Sequence, residues 1–329
     1  MSGEHVGIEV ARYSEQYRQQ WDDFVEQSQQ GTLFHTRAFL AYHPPARFDD
    51  ASLLFFKKEK LIAVLPAAAV VREGKKILSS HPGASFGGLA TALLTLREAT
   101  SLVEAMLQFC RREAYAALEL HPPPAIYSSS SDHLLEFVYH RAGFQYQRRE
   151  WAQAVCLAPG CSTEINQYDD EFQRKIRRAQ KLGCIVRETE DLPGFYELLQ
   201  NNLALRHGAQ PTHTLAELLD LRQRFPRRIR LLAACVEEKM VAGFLLFVCN
   251  ARTVLAFYIS QLYEYQRYRA VNLLTHEARS WCTREGFSYF DFGASTIASE
   301  PNWGLIEFRE NAGAQGVFRD TMFIDLGRC

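Results

Sequence analysis

With 329 residues, 47% of them hydrophobic and 23% charged, the chain has the composition of a folded protein rather than a disordered or fibrous one. Its length suggests two domains of similar size. A formal net charge of -1 excludes a whole-molecule attraction to nucleic acid or to an anionic membrane, so any such binding has to come from a local patch.

No stretch approaches the roughly 18 apolar residues of a membrane span, and MSGEHVGIEVARYSEQ lacks the basic and apolar regions of a signal peptide. A cytoplasmic protein without a membrane span is expected. The eight cysteines form no CxxC pair and mostly sit in apolar runs such as LLAACV and LLFVCN, which predicts buried free thiols.

In chain order, a strand-like piece at 6–10 and a polar helix from about Ser14 lead to GTLFHTRAFLAYH, read as a strand end and a short helix. Two apolar runs follow, SLLFF and LIAVLPAAAVV, separated by the charged turn KKEK, and then ILSSHPGASFGGLA. Because these runs are nearly all apolar, their sheet is expected to be covered on both faces. Leu102, Met106 and Phe109 at helical spacing mark a helix over 96–113, which leads into the short strand AALEL.

The second half repeats this order. FKKEKLIAVL at 56–65 aligns with VEEKMVAGFL at 236–245, charged turn on charged turn, TVLAFYIS supplies a third strand, and a helix over 270–285 ends in REGFSYFDF as the first one ends in RREAYAALEL. A hairpin, third strand, long helix and strand occurring twice imply two copies of one α/β domain.

That order is the core of the GNAT acyltransferase fold, and the chain resembles the FemAB-type tandem GNAT transferases, the acyltransferase-6 group among them. The residues carrying the resemblance are YDDEFQRKIRRAQKLG at 168–183, FDFGAST at 290–296 and GLIEFRENAGAQ at 304–315, with support from GTLFHTRAFLAYH and SSHPGASFGGL. It implies two tandem GNAT-like domains, each a mixed, mostly antiparallel sheet flanked by helices. Their bounds are 1–150 and 151–310, and residues 311–329 form a closing strand able to return to the first domain.

Several segments are candidates for chemistry. The helix at 169–182 carries Arg174, Lys175, Arg177, Arg178 and Lys181; it reads either as a solvated basic face or as an anion-binding helix, with Lys175 and Arg178 as substrate contacts. GNAT domains that use acetyl-CoA hold its pyrophosphate on a Gly-rich loop before the central helix. The corresponding QLYEYQRYRAVNLL has no glycine, which leaves Arg267 and Arg269 as donor-binding candidates. In HPGASFGG, Ser85, Gly87 and Gly88 form either a structural turn or part of the acceptor cleft that the resemblance places there.

Asp291 in FDFGAST lies between two aromatics and reads as catalytic or as bonded to loop amides; Arg309 in EFRENAG reads as an oxyanion or phosphate clamp or as a salt-bridge partner. Tyr258 and Ser260 fall on the third strand, where GNAT chemistry places the donor carbonyl. Tyr258 is either core packing or a general acid towards the leaving group. Arg206, in ALRHGAQPTH, is a further substrate-binding candidate. His207 and His213 lack a third donor at ligand spacing, so no metal is assigned. No GxSxG, Cys–His nucleophile signature or GxxxxGK[ST] loop is present, which removes the usual hydrolase and P-loop readings.

The expected function is acyl or aminoacyl transfer from acyl-CoA or aminoacyl-tRNA, used as a co-substrate, to an amine acceptor. By resemblance that acceptor is a cell-wall precursor, a peptide or an amino sugar, with transient membrane-surface contact. No permanently bound cofactor, metal or DNA partner is expected. The alternative is a non-catalytic RNA- or nucleotide-sugar-binding module on the duplicated fold.

Overall fold

The computed structural model describes residues 7–130, 132–157, 164–207 and 210–327. The chain divides into two compact units, Met1–Glu150 with Phe318–Cys329, and Trp151–Val317.

The first unit holds two sheets. Strands Glu9–Arg12, Leu53–Lys57, Lys60–Leu65 and Ala90–Thr91 form an antiparallel one, its hairpin turning through Lys58 and Glu59 at positive φ. Ala67–Arg72 pairs with Lys75–Ser80 in the other, and Lys75–Ser80 runs parallel to Ala117–Leu120. Met322–Asp325 closes this sheet antiparallel to Ala117–Leu120.

The run LIAVLPAAAVV, which reads as a single strand, is two strands in two sheets: the chain leaves the first at Leu65 and enters the second at Ala67. Pro66 is the cause, since it cannot donate to a ladder and its fixed φ turns the chain between sheets.

Thr95 and Glu98 start the Leu96–Arg112 helix with a reciprocal capping box. Its buried face, including Leu102, Met106 and Phe109, packs with Leu53, Phe55, Leu78 and Leu118. On the other side of the first sheet Trp21 and Val25 cover Leu54, Leu61 and Val64. The sheet is therefore covered twice, as its unbroken apolar runs require.

In the second unit the strand order is Cys184–Glu188, Ile229–Val236, Lys239–Val248, Thr253–Gln261, Tyr289–Ala294 and then the end of Gln145–Cys156. All neighbours are antiparallel except Thr253–Gln261 with Tyr289–Ala294. Helices Asp170–Lys181 and Ala270–Arg284 bury Phe172, Ile176, Leu274 and Ala278 against Phe244, Leu246 and Val254. Gly243 points off that face towards Phe195 of the Leu192–His207 helix, where an added Cβ would stand 2.5 Å from the ring.

Both units thus contain a hairpin, a third strand, a long helix and a strand parallel to the third, the arrangement of a GNAT fold. Cys110, Cys184, Cys235, Cys249 and Cys282 are buried and free and Cys156 is half-buried and free; Cys161 and Cys329 lie outside the described residues. Among the described residues no helix is long and apolar enough to cross a membrane.

Candidate active site

The parallel strands Thr253–Gln261 and Tyr289–Ala294 pair over three residues only, Thr253↔Tyr289, Val254↔Phe290 and Leu255↔Asp291. Beyond them each strand is irregular. The register between Lys239–Val248 and Thr253–Gln261 shifts between Leu245 and Leu246, leaving Phe257 as an extra residue, and that of Tyr289–Ala294 shifts after Asp291. A bulge bends the strand that carries it. The two strands part at Leu255, so residues 256–261 turn a row of main-chain donors and acceptors to the opening.

Tyr258 stands one residue past the bulge. Its hydroxyl accepts the His213 backbone N–H at 3.3 Å and lies 3.0 Å from His213 Nδ1. Tyr196 donates to the His213 carbonyl at 3.1 Å, so His213 is itself held. Burial raises the Tyr258 phenol above its ordinary value, which keeps it protonated at neutral pH, the form a proton donor needs. Ser260 is buried and donates to the Leu198 carbonyl at 3.4 Å, tying its strand to the Leu192–His207 helix. The side chain of Arg206 lies outside the described residues.

Asp291 and Arg309 each bond to the same hook of chain, residues 292–295. Asp291 is fully buried, and its Oδ1 accepts the Gly293 N–H at 2.6 Å. Arg309, 5% exposed on the Trp303–Asn311 helix, donates to the carbonyls of Phe292, Gly293 and Ala294 at 2.7–2.8 Å and to Ser295 Oγ at 2.5 Å. Ser295 passes the bond on to Gln153 at 2.6 Å. The FDFGAST and EFRENAG segments are therefore bound to each other. Arg309 shapes the strand end at the opening, a holding role neither of the sequence readings contained.

Arg267 and Arg269 lie at the turn Tyr263–Tyr268 and the start of the Ala270–Arg284 helix. Arg267 is exposed, bonded to the Tyr268 hydroxyl at 3.2 Å and stacked over its ring at 5.0 Å. Arg269 takes the left-handed conformation (φ 55°, ψ 32°) as the helix N-cap, and no side chain caps the helix. The backbone takes a glycine's conformation with no glycine, and first-turn N–H groups and the two guanidiniums suit a phosphate.

Lys175 pairs with Glu171 at 2.6 Å one turn earlier, and Arg178 is exposed. In the first unit, Ser85 lies in the wall of a cavity of about 280 Å³. Gly87 and Gly88 serve the backbone. Gly87 donates to His121 O at 2.8 Å, and a Cβ on it would come within 2.8 Å of Ser80; Gly88 has φ +81°. His35, fully buried, is 3.0 Å from the Gly87 carbonyl and locks the loop. The cavity's charged lining, Arg148, Glu150, Arg319 and Asp320, escaped the sequence reading; the nearest signal was Glu119, a charge inside the apolar strand AALEL.

Residues 168–300, which contain the basic helix and the parted strands, match the family model of an acetyltransferase (GNAT) domain. The second unit is thereby a GNAT-type acyltransferase domain. No curated protein matches the chain in sequence. Its fold is similar to that of FemX (TM-score 0.72, 12% identity, 95% of this chain and 96% of that one). It is also similar to L-PGS from Bacillus licheniformis (0.61, 11%, 94% and 92%) and to a tandem GNAT protein from the clavulanic acid biosynthesis pathway (0.55, 12%, 98% and 100%). The chain thus carries an acetyltransferase (GNAT) domain over residues 168–300, in a fold similar to those of these three proteins.

Proposed function

We propose that this acyltransferase moves an acyl or aminoacyl group from an activated carbonyl to a primary amine at the opening between Thr253–Gln261 and Tyr289–Ala294. The observation that carries the reading is the parting of these strands after three residue pairs, with the Phe257 bulge beside it. Main-chain N–H groups at such an edge are fixed donors for the oxygen that becomes negative when the amine attacks. Direct attack needs positioning, loss of the amine proton and a proton for the departing thiolate or alkoxide. The protonated Tyr258 phenol supplies the last.

The donor reading rests on the start of the Ala270–Arg284 helix, where uncapped N–H groups and Arg267 and Arg269 suit the phosphates of acyl-CoA. Aminoacyl-tRNA remains the second donor, and Arg178 with its exposed neighbours on the Asp170–Lys181 helix is the surface we assign to its backbone. FemX and L-PGS share the fold, and we extend the proposal to a cytoplasmic reaction on a peptide, amino-sugar or cell-wall amine, supported only by that shared fold.

The test is a thiol-release assay with acetyl-CoA and longer acyl-CoAs, run beside transfer from aminoacyl-tRNA, over a panel of amines. Tyr258→Phe is expected to lower kcat by at least tenfold, about 1.4 kcal/mol, with little change in KM. Full activity in that variant removes Tyr258 from the chemistry, and no turnover from either donor class with any amine overturns the reading.

A further inference from the structure

The cavity of the first unit lies between the 81–88 loop, the end of the Ala117–Leu120 strand and the two segments 148–150 and 319–321. Its charged lining is Arg148, Arg319, Glu150 and Asp320. Asp320 is committed to Arg149, which binds both carboxylate oxygens at 2.8 Å and is not part of the lining. Setting that neutralised carboxylate aside leaves two guanidiniums against Glu150, a surplus of one positive charge. Arg148 Nε is 3.7 Å from Glu150, and Arg319 stacks over Phe86 at 4.7 Å, which holds its planar fork at the wall.

The histidines add no charge at neutral pH. Burial holds His81 down at about 4, and its Nδ1 accepts the Gly83 N–H at 3.2 Å. His121 is also lowered by burial, though Glu119 opposes the shift. Its ring sits with Nε2 3.3 Å from the Glu119 carboxylate, close enough for attraction but not aligned as a hydrogen bond. Its backbone is pinned at both ends, its N–H to Ser80 Oγ at 2.7 Å and its carbonyl to the Gly87 N–H at 2.8 Å. Glu119 is satisfied elsewhere by both arms of Arg72 at 2.6 and 2.9 Å and by Ser79 at 2.9 Å. The imidazole is thus a neutral polar group on the wall, carried by a fixed backbone. Ser85 and Thr321 add hydroxyls, and Phe86 with two prolines gives the apolar remainder.

We propose that this cavity is a binding site for a small organic monoanion, a carboxylate on a short apolar body, gripped by Arg148 and Arg319 and contacted by His121. A guanidinium pair accepts carboxylate or phosphate, and the charge surplus decides between them: one extra positive charge is met by a carboxylate, whereas a phosphate monoester brings nearly two negative charges. The volume is at the small end for ligand pockets, which limits the ligand to a compact metabolite or the end of a chain. This goes beyond the transfer reading, since the ligand is a carboxylate rather than the attacking amine and its binding is read without turnover.

The test titrates the full chain, with its histidines isotope-labelled, against N-acetylalanine, N-acetylalaninamide and inorganic phosphate. The ring resonances of His121, assigned with His121→Gln, are the readout. N-acetylalanine is expected to shift them saturably, the amide not at all, and phosphate at least tenfold more weakly. Arg148→Gln is the chosen variant because that side chain is 57% exposed and does not hold the fold; it should weaken the carboxylate at least tenfold. No shift at tens of millimolar N-acetylalanine, equal binding of amide or phosphate, or unchanged affinity in Arg148→Gln would each overturn the proposal. None of these results bears on acyl transfer, which is measured separately.

Discussion

Arg309 shows how a single guanidinium can hold the shape of a strand end through main-chain oxygens. Its bonds run to three successive carbonyls, Phe292, Gly293 and Ala294, and to the Ser295 hydroxyl, none of which has a ladder partner from the Thr253–Gln261 strand at that height. Buried carbonyls left unpaired cost about 1–3 kcal/mol each. Arg309→Ala is therefore expected to destabilise the second unit by roughly 3–5 kcal/mol, read as a shift in urea midpoint at constant slope. Arg309→Lys should recover less than half of the loss, because an ammonium cannot fork across several acceptors. A variant that keeps its full stability and loses turnover would instead give Arg309 a direct part in the chemistry. The motif was legible as a cation near a carboxylate. What the sequence could not tell is that Arg309 binds main-chain oxygens, since carbonyls carry no signature in side-chain patterns.

At the scale of elements, the start of the Ala270–Arg284 helix is the most instructive departure. The absence of glycine between Gln261 and Leu274 reads as the absence of the usual glycine-rich acetyl-CoA turn, yet Arg269 adopts φ 55° and opens the helix in a conformation that favours glycine. A non-glycine residue there costs on the order of 1 kcal/mol, and such strain persists where surrounding structure imposes it. Arg269→Gly should consequently raise stability by roughly 0.5–1 kcal/mol, a gain of a few degrees in Tm. If Arg269 binds donor phosphates, the same variant should bind acyl-CoA more weakly and with a shallower salt dependence; a variant that is less stable than the parent would show that the strain is absent. Helices were the most readable elements. The amphipathic spacing and acidic first turn of Asp170–Lys181 fixed its bounds to within a residue. Strand membership was less so, because one proline at position 66 moved six residues to another sheet while leaving the apolar pattern unchanged.

Across the whole molecule, the duplication was legible because each copy repeats the same order of elements, whereas the cavity of the first unit was not, because its walls come from segments more than two hundred positions apart. The two copies also differ in how they should respond to acid. His35, fully buried between Thr32 and Gly87, and His81 are both held at about 4 against an ordinary 6.5, and both belong to the first unit. Their folded-state values are depressed, so above about pH 6.5 neither costs anything. As pH falls from 6.5 towards 4 the unfolded chain takes up protons that the folded one refuses, and stability is lost at about 1.4 kcal/mol per unit for each histidine. Carboxylates behave differently. Glu98, held at about 2 by Lys57 and Thr95, contributes stability that is lost only below its ordinary 4.5. The interval between pH 6.5 and 4.5 therefore belongs to the histidines, and in it the first unit is expected to weaken by several kcal/mol relative to the second. Hydrogen exchange at the Val64 and Leu118 amides, followed beside that at Phe244, separates the units. Protection at the first two should fall steeply over this interval while Phe244 changes less, and His81→Asn should flatten the decline. An equal decline in both units, or an unaltered slope in His81→Asn, would locate the acid sensitivity elsewhere.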